Sequence, residues 1–445
     1  MKQFYKKFFL LMIPMALKEL ISSLVNLVDT IMVGQLGETA IAAVGIGNQV
    51  YFLYTVFLFG ISCGAGVFAA QFWGTRDIKG MRRVLGLNLI LGFLLSLLFV
   101  LAALFLPKQI FQAFKANPSV LQTGVPYLQI VSIGYLATAI TTAFDMSVCC
   151  SEKAGLPFLV RAIGLLVNVV FNWILIFGKL GAPALGVQGA AIATVIARFS
   201  ELFVMVGAVY GRKMLQAARP KELFSIPKDL FFRFCKTATP VILNEMAWAL
   251  GITAYSWVFA RISPDAMVVV TIVQNIERLM LVFFHGGGNA AGVFIGKAVG
   301  AGKQKEALLY AKRLTVLSLI SATVLCGIFV LARPLMLMPY QVSAEIHGLA
   351  MDMLLVTAIL MIVKSTTFLL IVGVFRNGGD TRTAAIIDIG SLWGIGVPVV
   401  ALSGLVLGLP LLACYTLMGL EEIVKLLLSL HRFRSQKWIR NVVEG

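Results

Sequence analysis

The sequence consists of two related halves, because the stretch that begins at Pro14 recurs from Pro240, 226 positions later. Further matches that an apolar bias alone does not explain are Glu19 with Glu245, Gly60 with Gly286, Gly66 with Gly292, Gly74 with Gly300 and Gly164 with Gly390. An internal repeat of a long apolar segment is typical of a membrane protein with two pseudo-symmetric halves.

The composition indicates a chain that lies mostly in lipid. The sequence is 59% hydrophobic and only 13% charged, far less charge than a water-soluble chain of 445 residues needs to cover its surface. About 20 consecutive apolar residues cross a bilayer, and backbone in lipid must bond internally, so we predict transmembrane helices. Twelve are expected, at 8–33, 41–70, 84–106, 126–150, 157–178, 186–210, 237–260, 266–296, 312–332, 348–375, 383–404 and 406–430.

The distribution of the basic residues predicts the orientation in the membrane. Most of the 37 Lys and Arg residues fall on one side of these spans, and the opposite loops hold only Lys108, Lys115, Lys179, Arg261 and Arg333. This positive-inside bias predicts a multi-pass protein of the cell membrane with both termini in the cytoplasm. The basic residues occupy separate short loops, so the net charge of +17 does not indicate nucleic-acid binding.

The spans predict two lobes of six helices each. An even number of spans returns the chain to its starting side, so the halves should be related by an axis along the membrane normal, with a cleft between them. We expect an amino-terminal lobe at 1–210, a basic cytoplasmic linker at 211–236, a carboxy-terminal lobe at 237–432 and a cytoplasmic tail at 433–445. We expect the protein to act as a monomer in the lipid bilayer.

Motifs for catalysis and for cofactors are absent from the sequence. The six cysteines form no CxxC pair, and the three histidines are dispersed, which argues against a zinc site or an enzyme. The segment GVFIGKA from Gly292 has too few spacer residues for a phosphate loop and lacks the Ser or Thr after its lysine. We therefore expect no enzymatic activity and no cofactor, and a driving force supplied by an ion gradient.

The most informative charged residue inside a predicted span is Asp29. It has no basic residue within four positions, and Asn26 lies one turn earlier on the same face. Asn168 and Asn172 are four apart, so their amides project from one side of a helix, and Thr194 adds a hydroxyl on the next span. A carboxylate with neutral oxygens suits a small hard cation, and burial also favours protonation of a carboxyl group. Alternatively, Asp29 only bonds the asparagines as a structural contact.

Other charged residues in the spans are secondary candidates. Glu19 and Glu245 are equivalent in the repeat. Lys364 has no acid nearby in sequence, and we hypothesise that it pairs with Glu245. Glu277 and Arg278 are adjacent and do not face each other, so a partner for Glu277 must come from another helix.

Three more acids in the spans have a structural explanation. Arg198 and Glu201 are three positions apart, which predicts that they neutralise each other on one helix face. Asp145 and Asp388 lie near predicted cytoplasmic ends, where we expect them to reach water.

Seven segments in this order and spacing resemble the MATE family, the multidrug and toxic compound extrusion transporters. They are VDTIMVGQLG from Val28, AAQFWGTRD from Ala69, NVVFNWILIFG from Asn168, GVQGAAIATVIAR from Gly186, PVILNEMAWALG from Pro240, GKAVGAGKQKEAL from Gly296 and FRNGGDTR from Phe375. The resemblance implies two six-helix lobes in a V and export of cationic or amphiphilic compounds in exchange for Na⁺ or H⁺. The family's amino-lobe cation site, with Na⁺ as a possible ligand, maps onto Asp29, Asn168, Asn172 and Thr194.

The sequence departs from the family pattern at two places. Some members carry an acid where this chain has Asn172, so the site here has a single carboxylate. Glu245 resembles the seventh-span acid of other members, whereas their tenth-span acid has no match, because the segment reads MIVKSTTF with Lys364. A carboxy-lobe cation site like theirs is therefore in question.

The expected function is a secondary active antiporter for organic cations or drug-like amphiphiles. The alternative is a lipid-linked oligosaccharide flippase of the same superfamily, which needs several basic residues in its cleft for pyrophosphate. Lys18 and Arg198 are the only basic residues deep within the spans of the amino half, which disfavours the flippase. The sequence does not separate Na⁺ from H⁺ coupling, because one buried carboxylate serves both.

Overall fold

The architecture is all-helical in the computed structural model, which describes residues 2–340 and 342–444. Strand structure in these residues is limited to one isolated bridge between Gly379 and Ile439. Twelve long helices follow one another, in agreement with the sequence prediction, and most extend beyond the predicted spans by several residues.

The first six long helices carry the amino-terminal half of the repeat. They are α1 (Lys2–Gly34), α2 (Glu38–Thr75), α3 (Ile78–Phe105), α4 (Pro118–Cys150), α5 (Gly155–Phe177) and α6 (Gly186–Gly211). Two short helices, Pro107–Ala113 and Pro220–Phe224, lie between α3 and α4 and after α6. Each begins with proline, whose missing N–H is an unsatisfied donor at a helix start in any case.

The next six helices carry the second half. They are α7 (Lys228–Ile262), α8 (Pro264–Gly300), α9 (Gln304–Leu337), α10 (Ala344–Arg376), α11 (Thr381–Val406) and α12 (Leu411–Arg434). Helix α10 ends in a π-helical stretch, Leu369–Arg376, and α11 contains two, Leu392–Gly396 and Leu402–Val406. The two in α11 flank Pro398, which cannot donate to the carbonyl one turn earlier and so disrupts regular α-helical bonding.

Ten of these helices are long and apolar enough to cross a membrane, counted over the part of the chain that the structure describes. The other two long helices are α7 and α12. Both carry more charge: α7 begins with Lys228 and Asp229, and α12 holds Glu421, Glu422 and Lys425 in its interior. The prediction of an all-α integral membrane protein with twelve long helices is confirmed.

The chain divides into two compact units. The first unit is Ile13–Ala238, and the second consists of the residues up to Met12 together with the chain from Thr239 onward. Helix α1 therefore contributes to both units. Within the second unit, Phe4 stacks on Tyr310 with ring centroids 4.7 Å apart and meets Phe294 edge-on.

The part of the chain directly after α6, within the predicted linker, packs against α3. Arg82 on α3 donates to the carbonyl oxygens of Leu215 and Ala217 at 2.9 and 3.2 Å, and forms an ion pair with Glu222 at 3.1 Å. These contacts belong to the first unit, and they fix the segment after α6 against α3.

Close approach of α5 and α6 positions the polar residues of the first unit. A Cβ at Gly189 on α6 would lie 2.4 Å from the carbonyl oxygen of Leu175 on α5, so the position admits only glycine without displacement. A Cβ at Gly164 on α5 would lie 2.2 Å from Oε1 of Glu201 on α6. Small residues thus let these two backbones approach, as they do in other membrane helix pairs.

A tyrosine cluster forms the core beside this helix pair. The rings of Tyr54 on α2 and Tyr135 on α4 stack with centroids 4.7 Å apart. The Tyr54 hydroxyl donates to the Tyr135 carbonyl at 2.8 Å and lies 2.9 Å from the hydroxyl of Ser96. Because its rotamers are limited by stacking and its partners are fixed, Tyr54 provides a rigid wall behind the polar site.

Candidate functional site

Asp29 on α1 lies against the two asparagines of α5. Nδ2 of Asn172 donates to Oδ1 of Asp29 at 2.5 Å and to Oδ1 of Asn168 at 3.1 Å. Asn168 and Asn172 are 1% and 0% exposed, so this amide pair is fully enclosed by protein. Their spacing of four residues places both on one face of α5, as the sequence predicted.

Asp29 has no ionic partner among the described residues. The ion pairs of this part of the chain involve other acids, and Oδ2 of Asp29 receives no hydrogen bond of standard geometry from residues 2–340 or 342–444. A carboxylate in a water-poor interior is costly unless it is paired, hydrogen-bonded or neutralised. Its second oxygen is therefore available to a ligand.

Three buried polar atoms around Asp29 lack a hydrogen-bond partner in the described structure. They are Nδ2 of Asn168, Oδ1 of Asn172 and the hydroxyl of Tyr135. A buried polar group left without a partner costs about 1–3 kcal/mol, so three at one place need a common explanation. A small polar ligand or a water molecule at Asp29 would explain why these three atoms lack a partner within the protein.

A cavity of about 30 Å³ is lined by Asp29 and its polar neighbours. Other lining residues include Asn26, Asn48, Tyr135, Thr194 and Arg198. About 10–15 Å³ of such space holds one water molecule, so a small hydrated or partly dehydrated cation fits.

The donor set at this cavity consists of oxygens, which suits a hard monovalent cation. Oγ1 of Thr194 donates to the Ala190 carbonyl at 3.0 Å, so its lone pairs remain available to accept. The cavity wall thus offers the charged oxygens of Asp29 and the neutral oxygen of Thr194. The unpartnered carbonyl oxygen of Asn172 belongs to the amide that donates to Asp29. The described residues contain no cluster of three or more His, Cys, Asp or Glu side chains that could hold a metal ion.

The structure brings together all of the residues predicted for this site. Hydrogen bonds join Asp29, Asn168 and Asn172, and the cavity joins Asp29 with Asn26 and Thr194. The sequence reasoning missed the place of Tyr135 and Arg198 on the cavity wall. For Arg198 the available signal was its position one helical turn after Thr194.

Arg198 belongs to a buried group of three charges. Its Nη1 donates to both carboxylate oxygens of Glu201 at 3.1 and 3.2 Å, which confirms the predicted pair. Arg161 on α5 adds a second ion pair to Glu201 at 2.8 Å. The Arg198 guanidinium also lies 5.9 Å from the ring centroid of Tyr51, within range of a cation–π contact.

One prediction for the charges of the first unit requires correction. Asp145 does not reach water: it is 7% exposed and pairs with Lys18 at 3.0 Å. The reason is that α4 packs this carboxylate inside the unit, where only a charged partner stabilises it. Glu19, a secondary candidate, is 3.7 Å from Lys18 and lies at the surface, away from the cavity.

The hypothesised pair of Lys364 with Glu245 is wrong. Lys364 on α10 pairs with Glu277 on α8 at 2.7 Å, and Glu245 on α7 pairs with Arg376 at 2.7 Å. The rotation of α8 turns Glu277 toward α10, so Glu277 has its partner on another helix, as expected. Both candidates of the second unit, Glu245 and Glu277, thus have a basic partner.

Asp388 also lies in a network rather than in water. Lys425 on α12 contacts Asp388, Glu421 and Glu422 at 2.9, 2.8 and 3.4 Å, and Asn244 donates to Asp388 at 2.9 Å. Sequence reasoning missed Lys425 and its two glutamates, although charges three and four apart within an apolar helix are a recognisable signal.

Comparison with known proteins agrees with this architecture. The family model MatE matches residues 14–174 and 240–402, so its two matches begin at the same offset of 226 positions as the internal repeat. The chain is 25% identical to the uncharacterized transporter YisQ of Bacillus subtilis, over 93% of this chain and 90% of that protein. It is 24% identical to the probable multidrug resistance protein NorM of Thermotoga maritima, over 98% of this chain and 94% of that protein.

A solved structure supports the fold independently. The crystal structure of a MATE protein in the bent conformation superimposes with a TM-score of 0.88 at 19% sequence identity, over 97% of this chain and 96% of that chain. The family model covers both halves of the repeat and most of the sequence. The chain belongs to the MatE family.

Proposed function

We propose that this protein is a secondary active antiporter that exports organic cations or drug-like amphiphiles in exchange for Na⁺ or H⁺. It acts in the cell membrane with both termini in the cytoplasm. Family membership and similarity to a probable multidrug resistance protein support the class of substrate. The site at Asp29 supports the mechanism.

The observation that carries the proposal is a half-buried carboxylate without an ionic partner in the described residues, beside unpartnered polar atoms and a small cavity. One negative charge is neutralised by one positive charge. A coupling cation at Asp29 and an organic cation held by the same charge therefore oppose each other, and binding of one favours release of the other. This competition is the basis of antiport.

Each residue of the site has a distinct role in this mechanism. Asp29 supplies the charge, and Oδ1 of Asn172 and Oγ1 of Thr194 supply neutral oxygens for a coupling cation. Asn168 accepts from Asn172 and so fixes the orientation of its amide. A membrane potential or an ion gradient supplies the energy, since moving one charge across the membrane is worth about 2.3 kcal/mol per 100 mV.

The flippase alternative has less support from the charges of the first unit. Lys18, Arg161 and Arg198 each pair with a carboxylate at 3.0, 2.8 and 3.1 Å. A pyrophosphate group would need several basic residues that are free to bind it. Transport of a lipid-linked oligosaccharide, with no transport of an organic cation under any gradient, would favour the alternative.

The test measures transport of ethidium, a fluorescent organic cation, by purified protein in liposomes under an imposed Na⁺ or pH gradient. The native chain is compared with Asp29→Asn and with Asp352→Asn, a matched substitution of an exposed acid outside the site. We expect at least a tenfold loss of gradient-driven transport in the first variant, on the order of a coupling energy, and none in the second. Undiminished gradient-driven transport in Asp29→Asn would overturn the proposal.

A further inference from the structure

We propose that Arg198 is an internal cation that competes with the coupling cation for Asp29, and that Glu201 holds Arg198 away while the site is loaded. The inference rests on the function proposed above and concerns the same cavity. It assigns to Arg198 a role in setting the affinity of the site, beyond its ion pair with Glu201.

The first argument is geometric. Asp29 and Arg198 line the same cavity of about 30 Å³, and their charges are close enough to interact electrostatically. The hydrogen bonds of Arg198 to described residues all leave from Nη1, so Nε and Nη2 have N–H groups to spare. Oδ2 of Asp29 likewise has no hydrogen bond to a described residue. The two residues that line the cavity with opposite charge thus each have polar atoms available for a new contact.

Glu201 does not depend on Arg198 alone for its stability. Arg161 donates to Oε2 of Glu201 at 2.8 Å, and the Glu201 side chain is 2% exposed. If Arg198 turns toward Asp29, Glu201 keeps a charged partner. Movement of the guanidinium therefore exchanges one ion pair for another and leaves no buried carboxylate without a basic neighbour.

Charge balance favours this exchange. Asp29 and Glu201 carry two negative charges, and Arg161 and Arg198 carry two positive charges, so the group is neutral without any bound cation. A vacant site would otherwise leave Asp29 without a positive partner in a water-poor interior, which is unfavourable. The guanidinium of Arg198 serves as the positive partner of Asp29 in the vacant site, and the coupling cation must displace it.

The ring of Tyr51 provides the surface on which Arg198 moves. It also lines the cavity, and the guanidinium lies 5.9 Å from its centroid. A planar guanidinium can rotate over an aromatic face and keep its cation–π attraction, which a lysine ammonium does less well. Because Glu201 and Arg161 join α6 to α5, occupancy of Asp29 is communicated to the packing of this helix pair.

The experiment compares three variants in the ethidium assay and measures the concentration of the driving ion, Na⁺ or H⁺, that gives half-maximal transport. Arg198→Met removes the competitor, so we expect half-maximal transport at about tenfold lower ion concentration. Glu201→Gln removes the acceptor that holds Arg198 away, so we expect about tenfold higher concentration. Lys18→Met is the matched control: Lys18 pairs with Asp145 in the same unit and does not line the cavity, so we expect little change.

The opposite signs separate this role from a structural one. If Arg198 served only to neutralise Glu201, Arg198→Met and Glu201→Gln would change the half-maximal concentration in the same direction, and that result would overturn the inference. An unchanged half-maximal concentration in Arg198→Met would also overturn it. Transport that stays dependent on Asp29 in that case would leave the proposed function standing, whereas gradient-driven transport in Asp29→Asn would remove the function itself. If Arg198→Met does not fold, the shift in Glu201→Gln decides alone.

Discussion

Asn172 donates its amide hydrogens to Asp29 and Asn168, and its own carbonyl oxygen is buried without a hydrogen-bond partner in the described structure. The amide therefore does two things at once: it orients the carboxylate, and it presents a neutral oxygen beside it. This arrangement distinguishes the site from a simple structural hydrogen bond, in which both ends of the amide would be satisfied.

Replacement of Asn172 by Asp should strengthen cation binding. A second carboxylate in contact with Asp29 repels it, and a cation between them relieves that repulsion. We expect half-maximal ethidium transport at about tenfold lower concentration of the driving ion. Asn172→Leu removes the amide and adds no charge, so it should raise the concentration of the driving ion that gives half-maximal transport. A similar response of both variants would contradict the role assigned to the carbonyl oxygen.

Replacement of Thr194 by Val should weaken binding of the coupling cation. The methyl group has nearly the same shape as the hydroxyl but offers no lone pair to the cavity. We expect an increase in the half-maximal ion concentration of about three- to tenfold, on the scale of one net hydrogen bond. Thr194→Ser keeps the oxygen and should behave like the native protein; equal effects of Ser and Val would point to packing instead.

The ion pair of Lys364 with Glu277 should be structural. Single substitutions, Lys364→Met or Glu277→Gln, leave one charge without a partner inside the second unit. Both side chains keep some exposure, so we expect losses in unfolding free energy of about 1–3 kcal/mol, below the range for fully buried pairs. Thermal unfolding of the purified variants measures these losses in unfolding free energy. The double variant should recover much of the loss, and simple addition of the two losses would argue against a coupled pair.

The tail after α12 should stabilise the second unit. Trp438 is fully buried and stacks on Phe433 with ring centroids 6.0 Å apart. The buried carboxylate of Asp380 pairs with Arg432 at 2.5 Å and with Arg440 at 3.1 Å. Truncation of a buried Trp to Ala costs about 3–5 kcal/mol, so Trp438→Ala should lower the midpoint of thermal unfolding clearly. Lys437→Ala, at an exposed neighbouring position, should not, and an unchanged midpoint for Trp438→Ala would contradict a packed tail.

The helices and the site of the first unit could be predicted because their signals lie within single segments. An apolar run long enough to cross lipid must be helical. Asp29, Asn168 and Asn172 stand out as polar residues in such runs, and a spacing of four residues places the two amides on one face. The repeat from Pro14 and Pro240 then indicates how the halves are related.

The ionic partners of the second unit could not be predicted in the same way. Whether Lys364 meets Glu277 or Glu245 depends on the rotation and axial shift of three separate helices, which the pattern of a single helix does not contain. The π-helical stretches of α10 and α11 alter that rotation further. Arg198 was interpreted only as a partner of Glu201, because its position on the cavity wall follows from the packing of α4 and α6 rather than from its spacing.

The central claim is that Asp29 itself carries the exchanged charge. It is tested most directly by chemical labelling of purified protein with dicyclohexylcarbodiimide, which attacks protonated carboxyl groups in apolar surroundings, followed by mass spectrometry of each acid. Binding of ethidium, or of Na⁺ where Na⁺ is the coupling ion, should displace the proton and reduce labelling at residue 29 in a saturable way, whereas coupling to H⁺ should appear as labelling that increases as the pH falls. Labelling of the exposed Asp352 should not respond to ethidium or Na⁺. Labelling at residue 29 that stays constant at saturating ethidium, at saturating Na⁺ and as the pH falls would contradict the central claim.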